Sequence, residues 1–134
     1  MNKRDLKLGK YGISGKRYKE LCGFCEQYPD WKQEIKNYTF ISGKPLSGMP
    51  SSPNRAGSQT EEAAFRLDRF LRNCQIVEET AKEADEEHWE EIIKSACYGV
   101  PTTYLINVDN MPLSKSVFYD RRRYFFFLLD KKRP

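Results

Sequence analysis

The stretch "LDRFLRNCQIVEETAKEA", Leu67–Ala84, carries the clearest periodic pattern in this chain of 134 residues. Its apolar residues recur at alternating intervals of three and four, which aligns them along one face of an α-helix. The pattern predicts a long amphipathic helix and leaves two partners open for its apolar face: the rest of the same domain, or a second copy in a homodimer. That apolar stripe consists of Leu67, Phe70, Cys74, Val77, Ala81 and Ala84.

Before this helix, the sequence predicts a basic N-terminal helical segment at residues 1–41. Ser14 can cap a first short helix, Pro29 is expected to interrupt it, and Asp30 can cap a second. The strongest strand signal in the chain is a short piece at Tyr38–Ile41.

A segment rich in glycine, proline and serine, Ser42–Thr60, separates that region from the long helix. Eleven of its nineteen residues are of these three types, so we predict a flexible linker. Ser58 and Glu61 then form a capping box, which predicts where the long helix begins.

Residues 61–134 predict a helical domain with three more helices after the long one. Asp85 can cap the next helix, which Gly99 ends, and Thr102 or Thr103 can cap a short one. Ser114 then caps a last helix that extends to about Lys131. The predicted fold class is all-α, with five to six helices.

Charge is strongly segregated along the chain. Residues 1–44 contain ten bases and five acids, residues 61–91 contain four bases and eleven acids, and residues 113–134 contain seven bases and two acids. Basic ends suit a polyanionic partner such as DNA. The acidic segment Glu78–Glu91 is either a solvated face or a contact surface for a basic patch on RNA polymerase or another protein.

Several other functions find little support in the sequence. The longest apolar run, Tyr124–Leu129, is too short to span a membrane, and the N-terminus has no apolar secretory segment. Neither a phosphate-binding loop nor a catalytic triad is present, so we predict no enzyme and no cofactor. A thiol-redox role for Cys22 and Cys25, or a zinc site that adds Cys74, Cys97 and His88, remains a minor alternative.

The segment Thr102–Lys132 has the layout of a helix-turn-helix, in which the second helix enters the major groove of DNA. Phe118, Phe125 and Leu129 are its expected anchors, while Phe126 and Phe127 need cover from the N-terminal helices or from a second subunit. Pro112 stands where many such turns carry glycine. The basic residues Lys3, Arg4, Lys7, Lys10, Lys16 and Arg17 are expected to add phosphate contacts.

The arginine triplet Arg121–Arg123 suits DNA because a guanidinium can pair with guanine or clamp a phosphate. Neighbouring residues diverge by about 100° on a helix, so the three arginines cannot all point at one groove. One or two are expected to contact bases or phosphates, and the rest to contact flanking phosphates or to pair with Asp120. The predicted DNA-binding residues are Ser114, Lys115, Ser116, Tyr119, Asp120, Arg121, Arg122, Arg123, Lys131 and Lys132.

Three stretches together resemble the RinA/ArpU-type transcriptional regulators of phages and prophages. They are "LKLGKYGISGKRYKELCGFCEQYPDWKQEI", "EEAAFRLDRFLRNCQIVEETAKEAD" and "LSKSVFYDRRRYFFFLLDKKR". The resemblance implies a helix-turn-helix similar to region 4 of sigma-70 factors and activation of phage late genes for packaging and structural proteins. It also implies a cytoplasmic location in a bacterial host, with double-stranded DNA as partner and host RNA polymerase or a second copy as further candidates.

The main alternative is a small terminase subunit of a phage. Such proteins also combine a helix-turn-helix with helical oligomerisation, and they assemble into rings that recruit a packaging motor. The apolar stripe of the long helix has weak cysteine and alanine positions for such an assembly, so the regulator is preferred.

Overall fold

The computed structural model describes residues 11–42 and 53–133, with side chains described for residues 11–38 and 61–133. Six helices and no strand occur in these residues, which confirms the predicted all-α fold class. In chain order the helices are α1 (Gly15–Glu26), α2 (Tyr28–Ser42), α3 (Pro53–Ala84), α4 (Trp89–Tyr98), α5 (Thr102–Asn107) and α6 (Lys115–Lys132).

Helices α1 and α2 follow each other with a break at Gln27. Ser14 caps α1 as predicted, because its Oγ accepts a hydrogen bond from the Arg17 N–H at 3.1 Å. Pro29 lies in the first turn of α2, where the absence of an N–H costs no helical hydrogen bond, so the predicted interruption is displaced. Asp30 lies in the same turn and is not the cap.

The predicted strand at Tyr38–Ile41 is wrong, since α2 continues to Ser42. Helix α2 packs along α3, and this tertiary pairing outweighs a weak local preference for an extended backbone. Residues 43–52 of the predicted linker lie outside the described residues.

Helix α3 begins at Pro53, five residues before the predicted capping box at Ser58. Its start therefore falls inside the segment that composition assigned to the linker. Of the apolar stripe on α3, Cys74, Val77, Ala81 and Ala84 are buried within the fold. The stripe therefore packs on its own domain, the first of the two alternatives.

The turn from α3 into α4 is organised by Asp85, whose Oδ1 accepts hydrogen bonds from the N–H groups of Glu87 and His88 at 3.0 and 3.1 Å. Helix α4 ends at Gly99, as predicted. Gly99 has a φ of 67°, a left-handed conformation that favours glycine, and the following Val100 N–H bonds the Lys94 carbonyl at 3.0 Å.

The predicted capping of α5 by a threonine is wrong. Pro101 precedes the helix without a side-chain capping bond, and Thr102 is its buried first residue. The fixed φ of proline suits this position, so the sharp corner forms without a hydroxyl cap.

The core joins α1 and α2 to the helices that follow the predicted linker. Helix α6 packs against α1, α3 and α4, and buried residues from both sides of the predicted linker form one cluster. Arg17 on α1 donates from Nε to Asp130 Oδ1 on α6 at 2.6 Å, and its guanidinium also donates to the Arg133 carbonyl. Within the described residues, no helix has the length and apolar character needed to cross a membrane.

Candidate nucleic-acid interface

Helix α6 begins as the sequence predicts. Ser114 Oγ accepts a hydrogen bond from the Val117 N–H at 3.3 Å, so the cap is confirmed. Before it, Asn110 has a φ of 56° and the Met111 N–H bonds the Leu105 carbonyl at 2.9 Å, which turns the chain between α5 and α6. The order of short helix, turn and capped long helix is therefore present.

The three consecutive arginines of α6 occupy three different environments. Arg121 has a side chain 53% exposed, and its Nε lies 3.7 Å from Asp85 Oδ2. Arg123 is buried at 5% exposure and donates from Nη2 to Asp120 Oδ1 at 2.5 Å. The expected pairing of one arginine with Asp120 is therefore present, and Arg123 is turned towards the fold.

Arg122 is half-buried and bridges three helices. Its Nε donates to Ser95 Oγ on α4 at 3.1 Å, and its Nη1 donates to the Tyr18 hydroxyl on α1 at 2.8 Å. The guanidinium also lies 5.0 Å from the ring centre of Phe126. Burial raises the pKa of Tyr18 although the neighbouring Arg122 opposes the shift, so the phenol stays neutral around pH 7.

The outward face of α6 is less cationic than the sequence suggests. Lys115 and Ser116 are exposed at its start, but Val117 in the same turn and Tyr124 further along the helix are also exposed, at 42% and 36%. Exposed Asp120 lies on the same helix. If α6 contacts DNA, its first turns therefore supply the cationic side chains.

The two lysines near the end of α6 make contacts within the chain. Lys131 Nζ lies 4.4 Å from the ring centre of Phe127, and Lys132 Nζ donates to Glu83 Oε1 at 2.7 Å. Both lie about five helical turns from Ser114. The structure therefore does not bring them together with the predicted residues at the start of the helix.

A groove of about 320 Å³ lies between the corner that joins α4 to α5 and the first half of α6. It brings together three of the predicted DNA-binding residues, Lys115, Tyr119 and Arg122. The rest of its lining consists of Ser95, Thr102, Thr103 and the residues 99–101. Among these described lining residues there is no carboxylate, so the groove favours an anion.

The sequence does not indicate the two residues that hold Arg122 beside this groove. Ser95 lies on α4, 27 positions before Arg122, and Tyr18 lies 104 positions before it. Neither residue belongs to a local pattern that indicates a binding site. Thr102 and Thr103 were noted only as helix caps.

The basic N-terminal residues cannot all be placed. Lys3, Arg4, Lys7 and Lys10 lie outside the described residues. Lys16 is exposed, whereas Arg17 is engaged with Asp130 and holds α1 against α6.

The two extra phenylalanines of α6 are covered from within the chain. Phe126 is completely buried and packs edge-on against Tyr18 of α1, with ring centres 5.0 Å apart. Phe127 is half-buried, and its ring centre lies 5.1 Å from that of Tyr11. Of the two expected sources of cover, the N-terminal region provides it.

The thiols of the cysteine pair Cys22 and Cys25 both have pKa values above the ordinary range. A hydrogen bond to Cys97 on α4 and burial both raise the pKa of the Cys25 thiol, and burial raises the pKa of Cys22. Raised pKa values reduce the thiolate fraction on which redox chemistry depends. No group of three or more metal-binding side chains occurs in the part of the chain that the structure describes.

Fold and geometry together define a class: a small all-α protein with basic ends and a cationic groove at the start of its last helix. Comparisons of the chain with protein-family models, with curated proteins and with solved structures return no match.

Proposed function

We propose that the chain is a sequence-specific DNA-binding transcriptional regulator that contacts double-stranded DNA with the first turns of α6 and the adjoining groove. The observation that carries the proposal is the convergence of Lys115 and Arg122 on a groove whose described lining lacks carboxylates. Phosphate contacts supply most of the affinity of proteins for DNA, and they need such cationic, hydroxyl-rich surfaces.

Base contacts come from the side chains that project next to this groove. Lys115 and Ser116 are exposed in the first turn of α6, and Arg121 follows less than two turns later. The contact between Arg121 Nε and Asp85 Oδ2 is long, at 3.7 Å, and the Arg121 side chain is 53% exposed, whereas that of Asp85 is 11% exposed. Asp85 keeps two backbone N–H donors in the turn before α4, so it is not left unpaired when Arg121 moves to a base edge or a phosphate.

The regulatory part of the proposal rests on the resemblance to RinA/ArpU-type regulators. It makes the chain an activator of phage late genes that acts in the bacterial cytoplasm. The exposed carboxylates Glu86, Glu87 and Glu90, at the turn into α4, suit a basic patch on host RNA polymerase. None of these carboxylates lines the cationic groove, although Glu90 shares α4 with the groove residue Ser95.

The test is a selection of fragments that the purified protein binds from the genome that encodes it. We expect enrichment of one or a few sites upstream of a gene cluster. Lys115→Glu is expected to abolish the enrichment, because it places an anion at the start of α6. The matched control Lys36→Glu makes the same charge change at an exposed position on α2 and should retain it. Recovery of fragments without any preferred site would overturn the proposal.

A second candidate is the small terminase subunit, which one observation favours. Phe65 and Leu71, in the central part of α3, are exposed at 77% and 46%. Exposed apolar surface on a helix can mark an assembly surface. The mass of the protein in solution separates the two candidates. A monomer or dimer supports the regulator, whereas a large closed ring supports the terminase subunit.

A further inference from the structure

We propose that the groove beside α6 is a clamp for one phosphodiester of the DNA backbone, which fixes the position of α6 on the duplex. This inference rests on the proposed function and adds a defined subsite to it. The ligand class is a phosphate that is esterified on both sides, rather than a free phosphate or a phosphorylated metabolite.

The first support is the way Arg122 is held. Ser95 and Tyr18 accept hydrogen bonds from Nε and Nη1, whereas Nη2 has no acceptor among the described residues. No carboxylate of the described residues lies within ion-pair distance of this guanidinium. The side chain is thus fixed before binding, with donors left for a ligand, so little conformational entropy is lost on complex formation.

The second support is the chemistry of the remaining lining. Lys115 adds a second cation, and the hydroxyl-bearing residues Thr103 and Tyr119 line the groove. Hydroxyl groups can donate to the unesterified oxygens of a phosphate, and they are frequent partners of the DNA backbone. Thr103 is exposed, so a ligand can reach it without movement of the core.

The third support is size and position. A volume of about 320 Å³ corresponds to roughly ten water molecules, which is more than one phosphate needs and enough for parts of the attached sugars. Lys115 is both a wall of the groove and the first residue of α6. A backbone phosphate held here therefore leaves the neighbouring base pairs against the first turn of α6, an arrangement that a free phosphate does not require.

The test compares two variants of α5 that carry the same charge change. Thr103→Glu places a carboxylate on the wall of the groove, whereas Asn107→Glu places one at an exposed position of the same helix outside the groove. We expect Thr103→Glu to weaken binding to the selected duplex by about tenfold or more, because like charges then face each other. The slope of log affinity against log salt should also become shallower by about 0.9, the contribution of one phosphate.

The control Asn107→Glu should change neither the affinity nor the slope beyond a small general effect. Circular dichroism and thermal unfolding of both variants establish that the fold is intact. If Thr103→Glu folds and binds the duplex as tightly as Asn107→Glu, the clamp is overturned while the proposed function stands.

A second measurement identifies the ligand by nuclear magnetic resonance. Amide signals of Thr103, Lys115 and Tyr119 should shift on addition of the selected duplex and should shift little with inorganic phosphate at the same phosphate concentration. Equal shifts with inorganic phosphate would overturn the assignment to a phosphodiester. If the wild-type protein binds no duplex at all, the proposed function fails first, and shifts caused by inorganic phosphate alone would then overturn the clamp as a DNA subsite.

Discussion

The arginine triplet Arg121–Arg123 and the phenylalanine triplet Phe125–Phe127 stand side by side on α6, yet neither behaves as a unit. Arg121 is half exposed, Arg122 bridges to α1 and α4, and Arg123 is buried. Phe125 and Phe126 are fully buried, whereas Phe127 is only half-buried. The boundary between surface and core therefore runs through both triplets.

The comparison shows that rotation along the helix decides the role of each side chain. Consecutive residues point about 100° apart, so a triplet covers more than half of the helix circumference. Helix α6 is surrounded by α1, α3 and α4, and a wide sector of it is consequently buried. Consecutive arginines in such a helix therefore form hydrogen bonds and ion pairs within the fold, and only some remain available to a ligand.

The largest expected effect separates two phenylalanines of the same triplet. Phe126→Ala should lower the free energy of unfolding by about 3–5 kcal/mol, because it removes a buried ring that packs against Tyr18. Phe127→Ala should cost clearly less, since that ring is only half-buried. Urea denaturation measures both losses. Equal losses would contradict the unequal burial of the two rings.

The next largest effect compares the contributions of Arg123 and Arg121 to stability. Asp120→Asn should destabilise the protein by roughly 1–3 kcal/mol, because it leaves the buried guanidinium of Arg123 without its carboxylate partner. Arg121→Ala should stay within about 0.5 kcal/mol, as is usual for an exposed side chain. Thermal unfolding ranks the two variants. A reversed ranking would contradict the account that the buried Arg123 depends on Asp120.

A smaller effect tests the bridge made by Arg122. Tyr18→Phe removes the acceptor of Nη1 and keeps the ring that packs on Phe126. We expect a loss of about 1 kcal/mol in the free energy of unfolding, typical of one hydrogen bond, together with weaker binding to DNA. Tyr104→Phe, at an exposed position of α5, is the matched control. Unchanged affinity in Tyr18→Phe would mean that the bridge does not prepare Arg122 for a ligand.

A further effect concerns pH and arises from a thiol of the core. Burial raises the pKa of Cys74 from 9.0 to about 11. Between these values the unfolded chain loses this proton and the folded chain keeps it, so stability is full below pH 9 and falls as the pH rises towards 11. Thermal unfolding in reducing buffer should show this decline, and Cys74→Ala should make it shallower. The same decline in the variant would exclude Cys74 as its source.

Much of the fold could be predicted because its signals are local. Ser14 and Ser114 cap helices through hydrogen bonds to residues three positions away, and Gly99 ends α4 by its own backbone conformation. The apolar stripe of α3 repeats at helical intervals and needs no knowledge of its partner. These features follow from the nearest neighbours in the sequence.

The remaining features depend on residues that are distant in the sequence. The helical state of Tyr38–Ile41 depends on packing along α3, and the early start of α3 at Pro53 overrides a composition typical of linkers. The groove depends on Ser95 and Tyr18, which meet Arg122 only in the folded chain. Periodicity alone places all three arginines on one helix, but it does not state which of them the neighbouring helices bury.

The central claim, that the start of α6 and its groove bind DNA, is tested most directly by the salt dependence of binding to a fluorescent duplex. Fluorescence anisotropy measures the affinity from low to physiological ionic strength, with the selected site and a scrambled duplex compared. We expect the affinity for both to fall steeply with salt, because each neutralised phosphate releases counterions, and the selected site to bind more tightly throughout. A flat response to salt, or equal affinity for the two duplexes, would contradict the account.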